Sequence, residues 1–280
     1  LEYVVNYREQ WQDQGYLVVK NVLDAERIRQ LFEVCETAFA QWREESSPDI
    51  EPGCFAYGPS AWVQLHLNHP KYHRQNDTSL ACVLDAVANP LAMEITRDIF
   101  QEAPMFMQAN YYIDPPGETR IGNWHRDSQF FANGDEAVER QAVADEAEPP
   151  RELHMHIPLV PTQASELVPG SHNRWDTPRE REIRLNDPVN GEMPGALKLQ
   201  LEPGDLAFFH VNAIHRGMYL QGVPRRTIAV TFSRSSIRRE ATAQSMKAWN
   251  GYIASFQPWT LKPGYLDGTS SSAQDLFGRF

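Results

Sequence analysis

Apolar residues recur at Ile28, Leu31, Phe32, Cys35, Phe39 and Trp42, close to the 3.6-residue period of one helix face. The spacing predicts an amphipathic helix there, with Asp24 as its N-cap and the apolar stripe as core. Upstream, Tyr7 and Trp11 stand four apart and Gly15 is placed to stop a short helix, after which residues 16–19 form a strand candidate. Residues 44–77 are rich in Pro, Gly, His and Asn and read as irregular; 79–100 returns to helical pattern, interrupted at Pro90. From residue 105 the period shortens. Strand candidates at 105–113, 153–160, 197–201, 206–210 and 227–232 are separated by turn residues such as Asp114-Pro-Pro-Gly and Pro203-Gly-Asp. Helices first and short strands after predict an α+β fold with a small all-β barrel or jelly roll at its centre. Two strands carry polar side chains on alternate positions, which share a face: Gln108, Asn110 and Tyr112 on one, Glu152, His154 and His156 on the other.

Composition narrows the class. The chain has 280 residues, 41% hydrophobic and 22% charged, which excludes a disordered or disulfide-scaffold protein. With no linker or repeat visible, one domain is expected: a helical part over about 1–104, a β core over 105–235 and an extension over 236–280. A formal charge of −11 argues against a nucleic-acid or acidic-membrane surface. No run reads as a membrane span. Cys35, Cys54 and Cys82 are odd in number and widely spaced, so reduced thiols in a cytoplasmic protein are expected. Residues 134–150 hold six acidic residues and one arginine, a solvated loop or a mobile flap over a site. Arg179, Arg181 and Arg184, alternating with Glu180 and Glu182, read as an ion-paired surface. His172 and His210 read as structural.

Among nine histidines, only His125 has a carboxylate two residues on, at Asp127. Both side chains can reach one ion from one strand end, and a histidine from a distant strand would complete two nitrogens and one oxygen on one face of an octahedron. That donor set suits non-haem Fe(II) and leaves the opposite face for substrates and dioxygen. His215 follows 90 residues later, and Arg226 comes eleven residues after it. An arginine beside a metal site offers a planar fork for a carboxylate. Arg225 adjoins it, and a one-residue slip would turn the choice to the other face.

The ordered set of motifs resembles the phytanoyl-CoA dioxygenase family of Fe(II)- and 2-oxoglutarate-dependent oxygenases. Gln14-Gly-Tyr-Leu-Val-Val-Lys-Asn-Val-Leu23 is similar to that family's opening segment, Trp124-His-Arg-Asp127 to its first metal motif, and Val168-Pro-Gly-Ser-His172 to its most recognisable peptide. Pro203-Gly-Asp-Leu-Ala-Phe-Phe-His210, His215 and Arg226 resemble its closing strands. Gly217 stands where a hydroxylated residue is common, and Gln163-Ala164 replaces a usual Asn-Gly. The resemblance implies a double-stranded β-helix (jelly-roll) core flanked by helices, iron held by His125, Asp127 and His215, and the distal carboxylate of 2-oxoglutarate on Arg226. Gln108 and Asn110 are expected on the cosubstrate, and Tyr112, His154 and His156 on the substrate. With Fe(II), 2-oxoglutarate and O2, such an enzyme hydroxylates an unactivated C–H bond of a small molecule and releases succinate and CO2. The carboxylate at Asp127 favours hydroxylation over halogenation, since related halogenases carry a small residue there. The alternative is a non-catalytic jelly-roll protein that binds a metal or ligand.

Overall fold

The computed structural model describes residues 6–45, 62–74, 78–115, 117–236 and 258–279. The expected helix α2 spans Ala25–Glu45, and Asp24 Oδ1 accepts from Arg27 N–H at 2.7 Å. Helix α1 (Tyr7–Gln14) ends on Gly15, whose φ of 70° is a left-handed conformation that glycine adopts without strain. A side chain at Gly15 would also strike the His172 ring, with a Cβ 2.4 Å from Nδ1. Asn89-Pro90 splits the next helical stretch into α3 (Ser79–Val87) and α4 (Pro90–Phe100), with Asn89 capping α4. By length and hydropathy Ser79–Phe100 reaches the membrane-span range. It is broken at that cap, and residues such as Val83, Leu84, Met93 and Ile99 are fully buried in the core.

Among the described residues, ten strands form two antiparallel sheets. Six lie in the order β1 (Tyr16–Val19), β8 (Leu206–His210), β5 (Glu152–Pro158), β10 (Arg226–Arg234), β3 (Pro104–Ile113), β2 (Val63–Gln64). Four lie in the order β4 (Arg120–Ile121), β9 (His215–Tyr219), β6 (Ser165–Leu167), β7 (Leu197–Lys198). The strand expected over 197–201 is reduced to β7 plus an isolated bridge between Thr162 and Leu201. Strand β9 goes unread in the sequence because it lacks apolar alternation.

The two-residue period of the large sheet decides where everything else sits. One face carries Tyr111 and Ile113 of β3, Leu153, Met155 and Ile157 of β5, Phe208 of β8 and Ile228, Val230 and Phe232 of β10, all buried in the main core. That face packs under α2 (Leu31, Cys35, Trp42), α3, α4 and the terminal helix α8 (Ser271–Phe277), whose Phe277 ring lies 4.8 Å from Phe106. The opposite face looks toward the small sheet. Leu167 packs there with Ala207 and Phe209, Ser165 reaches His156, and Tyr219 stacks on Tyr112 with centroids 5.9 Å apart. The polar rows of β3 and β5 therefore point between the sheets.

The acidic segment is not a loop. After the short α5 (Ser128–Ala132), most of it forms α6 (Glu136–Asp145), capped by Asp135, which accepts from the Ala137 and Val138 N–H groups. Its carboxylates find partners far along the chain: Glu136 pairs with Arg181 at 2.6 Å and Glu139 with Arg184, both on α7 (Pro178–Asn186). The expected ion-paired surface on α7 is thus half correct. Arg179 pairs with Glu182 in solvent, but Arg184 and Glu180 are buried. Cys35 and Cys82 are free thiols, and Cys54 lies outside the described residues.

Candidate active site

His125 follows β4, and His215 opens β9. Their backbones meet directly: His125 N–H donates to the His215 carbonyl at 3.0 Å, and His215 N–H to the His125 carbonyl at 2.9 Å. The imidazoles lie side by side, with centroids 4.2 Å apart. Each gives Nδ1–H to a carbonyl two residues back, His125 to Asn123 at 2.7 Å and His215 to Ala213 at 2.8 Å. That tautomer leaves both Nε2 lone pairs free for a metal. Asp127 Oδ1 lies 3.4 Å from His125 Nε2 and 3.7 Å from His215 Nε2. The three candidate ligand atoms fall within 4.8 Å of one another. Burial alone would raise the Asp127 carboxyl, but contact with His125 and His154 outweighs it and holds the group well below its usual range. Burial, reinforced by His125, pushes His215 down to about 3. A charged carboxylate and a neutral imidazole are the states that bind a divalent ion.

The segment bearing these ligands is anchored by Arg126, which lies between them in sequence and is fully buried. Its Nε donates to Asp176 Oδ1 at 2.8 Å, and its terminal nitrogens to the carbonyls of Ser171 at 2.7 Å, Arg174 at 3.2 Å and Asn212. Asp176 also pairs with Arg184, which reaches Glu139 and Gln129. The network joins the His125–Asp127 segment, the Pro-Gly-Ser-His turn, the approach to His215 and α6. His172 and His210 pack beside it, buried as expected, with centroids 5.2 Å apart.

β10 turns Arg225 and Arg226 to opposite faces of the sheet. Thr231, Ala229 and Thr227 lie on the inward face opposite His154, His156 and Pro158, and Arg225 continues that row. Arg226 shares its parity with Ile228 and Val230 and turns outward. Its Nε donates to Glu36 Oε1 of α2 at 2.8 Å, and it also pairs with Asp114. Arg226 thus carries two carboxylate partners on the helix-facing side of the sheet. Arg225 is 3% exposed and lies over the rings of Tyr219 and Tyr112, 4.4 and 5.1 Å from their centroids. Among the described residues no carboxylate pairs with its guanidinium, and its Nε has no partner. Thr227 Oγ1 and Gln108 Oε1 are likewise buried without partners. His156, held well below its usual range by burial and then by Arg225, contacts Ser165 Oγ at 3.3 Å.

The other expected residues lie inward as the alternation predicts, but several are engaged within the chain. Gln108 Nε2 donates to Thr231 Oγ1 at 3.3 Å. Asn110 Oδ1 accepts from His66 N–H at 3.3 Å. His154 Nε2 lies 2.9 Å from Asp127 Oδ2, and its Nδ1 3.0 Å from Thr231 Oγ1. Thr231, Thr227, Ser165 and Tyr219 went unnoticed in the sequence; the signal that could have found Thr231 and Thr227 was their shared parity with Arg225.

Two facing antiparallel sheets thus carry a candidate two-histidine, one-carboxylate metal site, the donor set that non-haem iron oxygenases use. The phytanoyl-CoA dioxygenase (PhyH) family model matches residues 11–219, and the chain belongs to that family. No curated protein matches it significantly. Among solved structures, EctD from S. alaskensis with 2-oxoglutarate and 5-hydroxyectoine is similar at 15% identity and a TM-score of 0.58, over 83% of this chain and 76% of that one. The non-haem α-ketoglutarate-dependent epimerase SnoN from nogalamycin biosynthesis aligns at 16% identity and a TM-score of 0.54, over 82% and 81%. AviO1 from Streptomyces viridochromogenes Tue57 aligns at 18% identity and 0.54, over 82% and 94%.

Proposed function

We propose that this chain is a non-haem Fe(II)- and 2-oxoglutarate-dependent oxygenase with a jelly-roll core, which hydroxylates a C–H bond of a small molecule and releases succinate and CO2. The observation that carries the reading is the pairing of two sites between the sheets: the His125, Asp127 and His215 ligand atoms within 4.8 Å of one another, and the buried Arg225 guanidinium without a carboxylate. The donor set fits iron(II), and the unpaired guanidinium fits the far carboxylate of a dicarboxylate cosubstrate.

His125, Asp127 and His215 would hold the iron, which with 2-oxoglutarate and dioxygen supplies an oxidant strong enough for an unactivated C–H bond. Arg225 fixes the cosubstrate's far end, with the hydroxyls of Thr227 and Ser165 on the same inward surfaces. Tyr112 and Tyr219 cover the guanidinium and keep water from it, which strengthens its pairing with an anion. Asp127 fills the third protein position with a carboxylate, which favours hydroxylation over halogenation. Tyr112 and His156, inward and beside Arg225, border the cosubstrate end of the pocket.

Anaerobic loading with Fe(II) followed by O2 and 2-oxoglutarate tests the reading. Succinate formation that His125→Ala, Asp127→Ala and His215→Ala each abolish is expected. A wild-type protein that binds metal yet forms no succinate, with or without a panel of small molecules, would favour the non-catalytic alternative.

A further inference from the structure

The cross-strand register places Gln108, Thr231 and His154 in one row across β3, β10 and β5, with Thr231 opposite both neighbours. Three contacts run along the row and end on a metal-ligand candidate: Gln108 Nε2 to Thr231 Oγ1 at 3.3 Å, Thr231 Oγ1 to His154 Nδ1 at 3.0 Å, and His154 Nε2 to Asp127 Oδ2 at 2.9 Å. We propose that His154 is a positioning residue of the metal centre, oriented through Thr231 and Gln108, which holds Asp127 Oδ2 so that Oδ1 alone is offered to the metal. The inference rests on the metal-site reading above.

Hydrogen-bond polarity runs one way along the row. An ionised carboxylate only accepts, so His154 Nε2 carries the proton that faces Asp127. In the neutral ring Nδ1 is then an acceptor, and the Thr231 hydroxyl donates to it. The Thr231 oxygen is left to accept from Gln108, whose amide nitrogen only donates. No link is frustrated, and the row fixes both the tautomer and the ring plane of His154. The other oxygen, Oδ1, is the one that faces the Nε2 atoms of His125 and His215, at 3.4 and 3.7 Å. Without His154, Asp127 could rotate and present both oxygens. A bidentate carboxylate would occupy a position that a cosubstrate and dioxygen need. The row thus gives His154 and Gln108 a task distinct from the substrate and cosubstrate contacts expected of them.

The test is an anaerobic calorimetric titration of the apo-protein with Fe(II), with Co(II) absorption as a report on ligand geometry and circular dichroism as a check on folding. His154→Leu is expected to weaken Fe(II) binding ~10–100-fold, the usual effect of removing such an outer partner, and to alter the Co(II) spectrum. His154→Gln, whose amide N–H can reach the same oxygen, should recover most of the affinity. Thr231→Val, nearly isosteric, should fall between wild type and His154→Leu, and it carries the test if His154→Leu does not fold. Fe(II) affinity within twofold of wild type in His154→Leu overturns the proposal, as does His154→Gln binding no better than His154→Leu. A wild-type protein that binds neither metal overturns the metal-site reading itself, whereas metal binding without succinate formation strikes only the oxygenase reading.

Discussion

On the proposed reading, replacing Arg225 with alanine separates cosubstrate anchoring from everything else in the site. The guanidinium is already stripped of water in the folded protein, at 3% exposure, and has no carboxylate among the described residues. Removing one partner of such a desolvated charge pair costs about 2–5 kcal/mol, or roughly 30- to 4,000-fold in affinity at 1.4 kcal/mol per tenfold. Thr227 and Ser165 remain to bind the same anion, which places the expectation in the lower part, about 30–300-fold on the 2-oxoglutarate requirement. Arg225→Lys keeps the charge but loses the fork, so it should recover only part of this. Because the deleted charge is buried without a carboxylate, held only by the two rings and a 3.5 Å contact to the Met218 carbonyl, the metal-free Arg225→Ala protein should lose little thermal stability. Arg226→Ala should do the reverse. Its side chain serves Glu36 and Asp114, so stability falls while the 2-oxoglutarate requirement stays within about twofold of wild type, as expected for a group outside the pocket. The assay is the apparent KM for 2-oxoglutarate from succinate formation, paired with anaerobic calorimetry on the Fe(II)-loaded protein. A larger KM increase in Arg226→Ala than in Arg225→Ala would refute the inward parity argued for β10.

Arg126→Ala breaks a fully buried ion pair with Asp176 and should cost about 3–5 kcal/mol; a thermal midpoint equal to wild type would show that the network carries no such load. Burial pushes His66, His69 and His172 each down to about 4, and His210 to about 3, from a usual 6.5. The unfolded chain therefore takes up protons first, and stability present above pH 6.5 is lost as pH falls toward 4. Glu152, raised by burial to about 7, acts oppositely: its contribution is present below pH 4.5 and lost as pH rises through 7. With His156 and His215 lowered as well, these rings outnumber Glu152 and predict a falling Tm for the metal-free protein between pH 6.5 and 4, and a flat Tm over that window would contradict their burial. Amide hydrogen exchange should show α6 protected in the substrate-free protein, since Arg181 and Arg184 already pair with it; exchange at the rate of an open loop would restore the flap expectation.

The parts of this fold that depend on local periodicity were legible. The stripe from Ile28 to Trp42, the stop at Gly15, the break at Pro90 and the inward rows of β3 and β5 follow from spacing alone. The choice between Arg225 and Arg226 did not, because spacing from His215 says nothing about which face a strand presents after a turn. A signal was nonetheless present. Arg226 belongs to the row of Ile228, Val230 and Phe232, which must face the helices, while Arg225 belongs to the row of Thr227 and Thr231. The helix in the acidic segment was missed for another reason: its charges were weighed without Arg181 and Arg184, which only the fold brings beside them. β9 was hidden because its inward positions are His215, Gly217 and Tyr219, chosen for the site rather than for a core.

The paired backbone hydrogen bonds between His125 and His215 have a consequence for metal choice. These residues are 90 positions apart, and closing a loop of that length costs about 4 kcal/mol by the (3/2)RT ln n scaling. The fold closes it, so an incoming ion does not have to. A two-histidine, one-carboxylate face assembled before any ion arrives is open to every divalent ion that accepts those donors, and copper and zinc outrank iron in intrinsic affinity for them. Zinc is therefore expected to compete with Fe(II) for the finished site and to inhibit the proposed turnover.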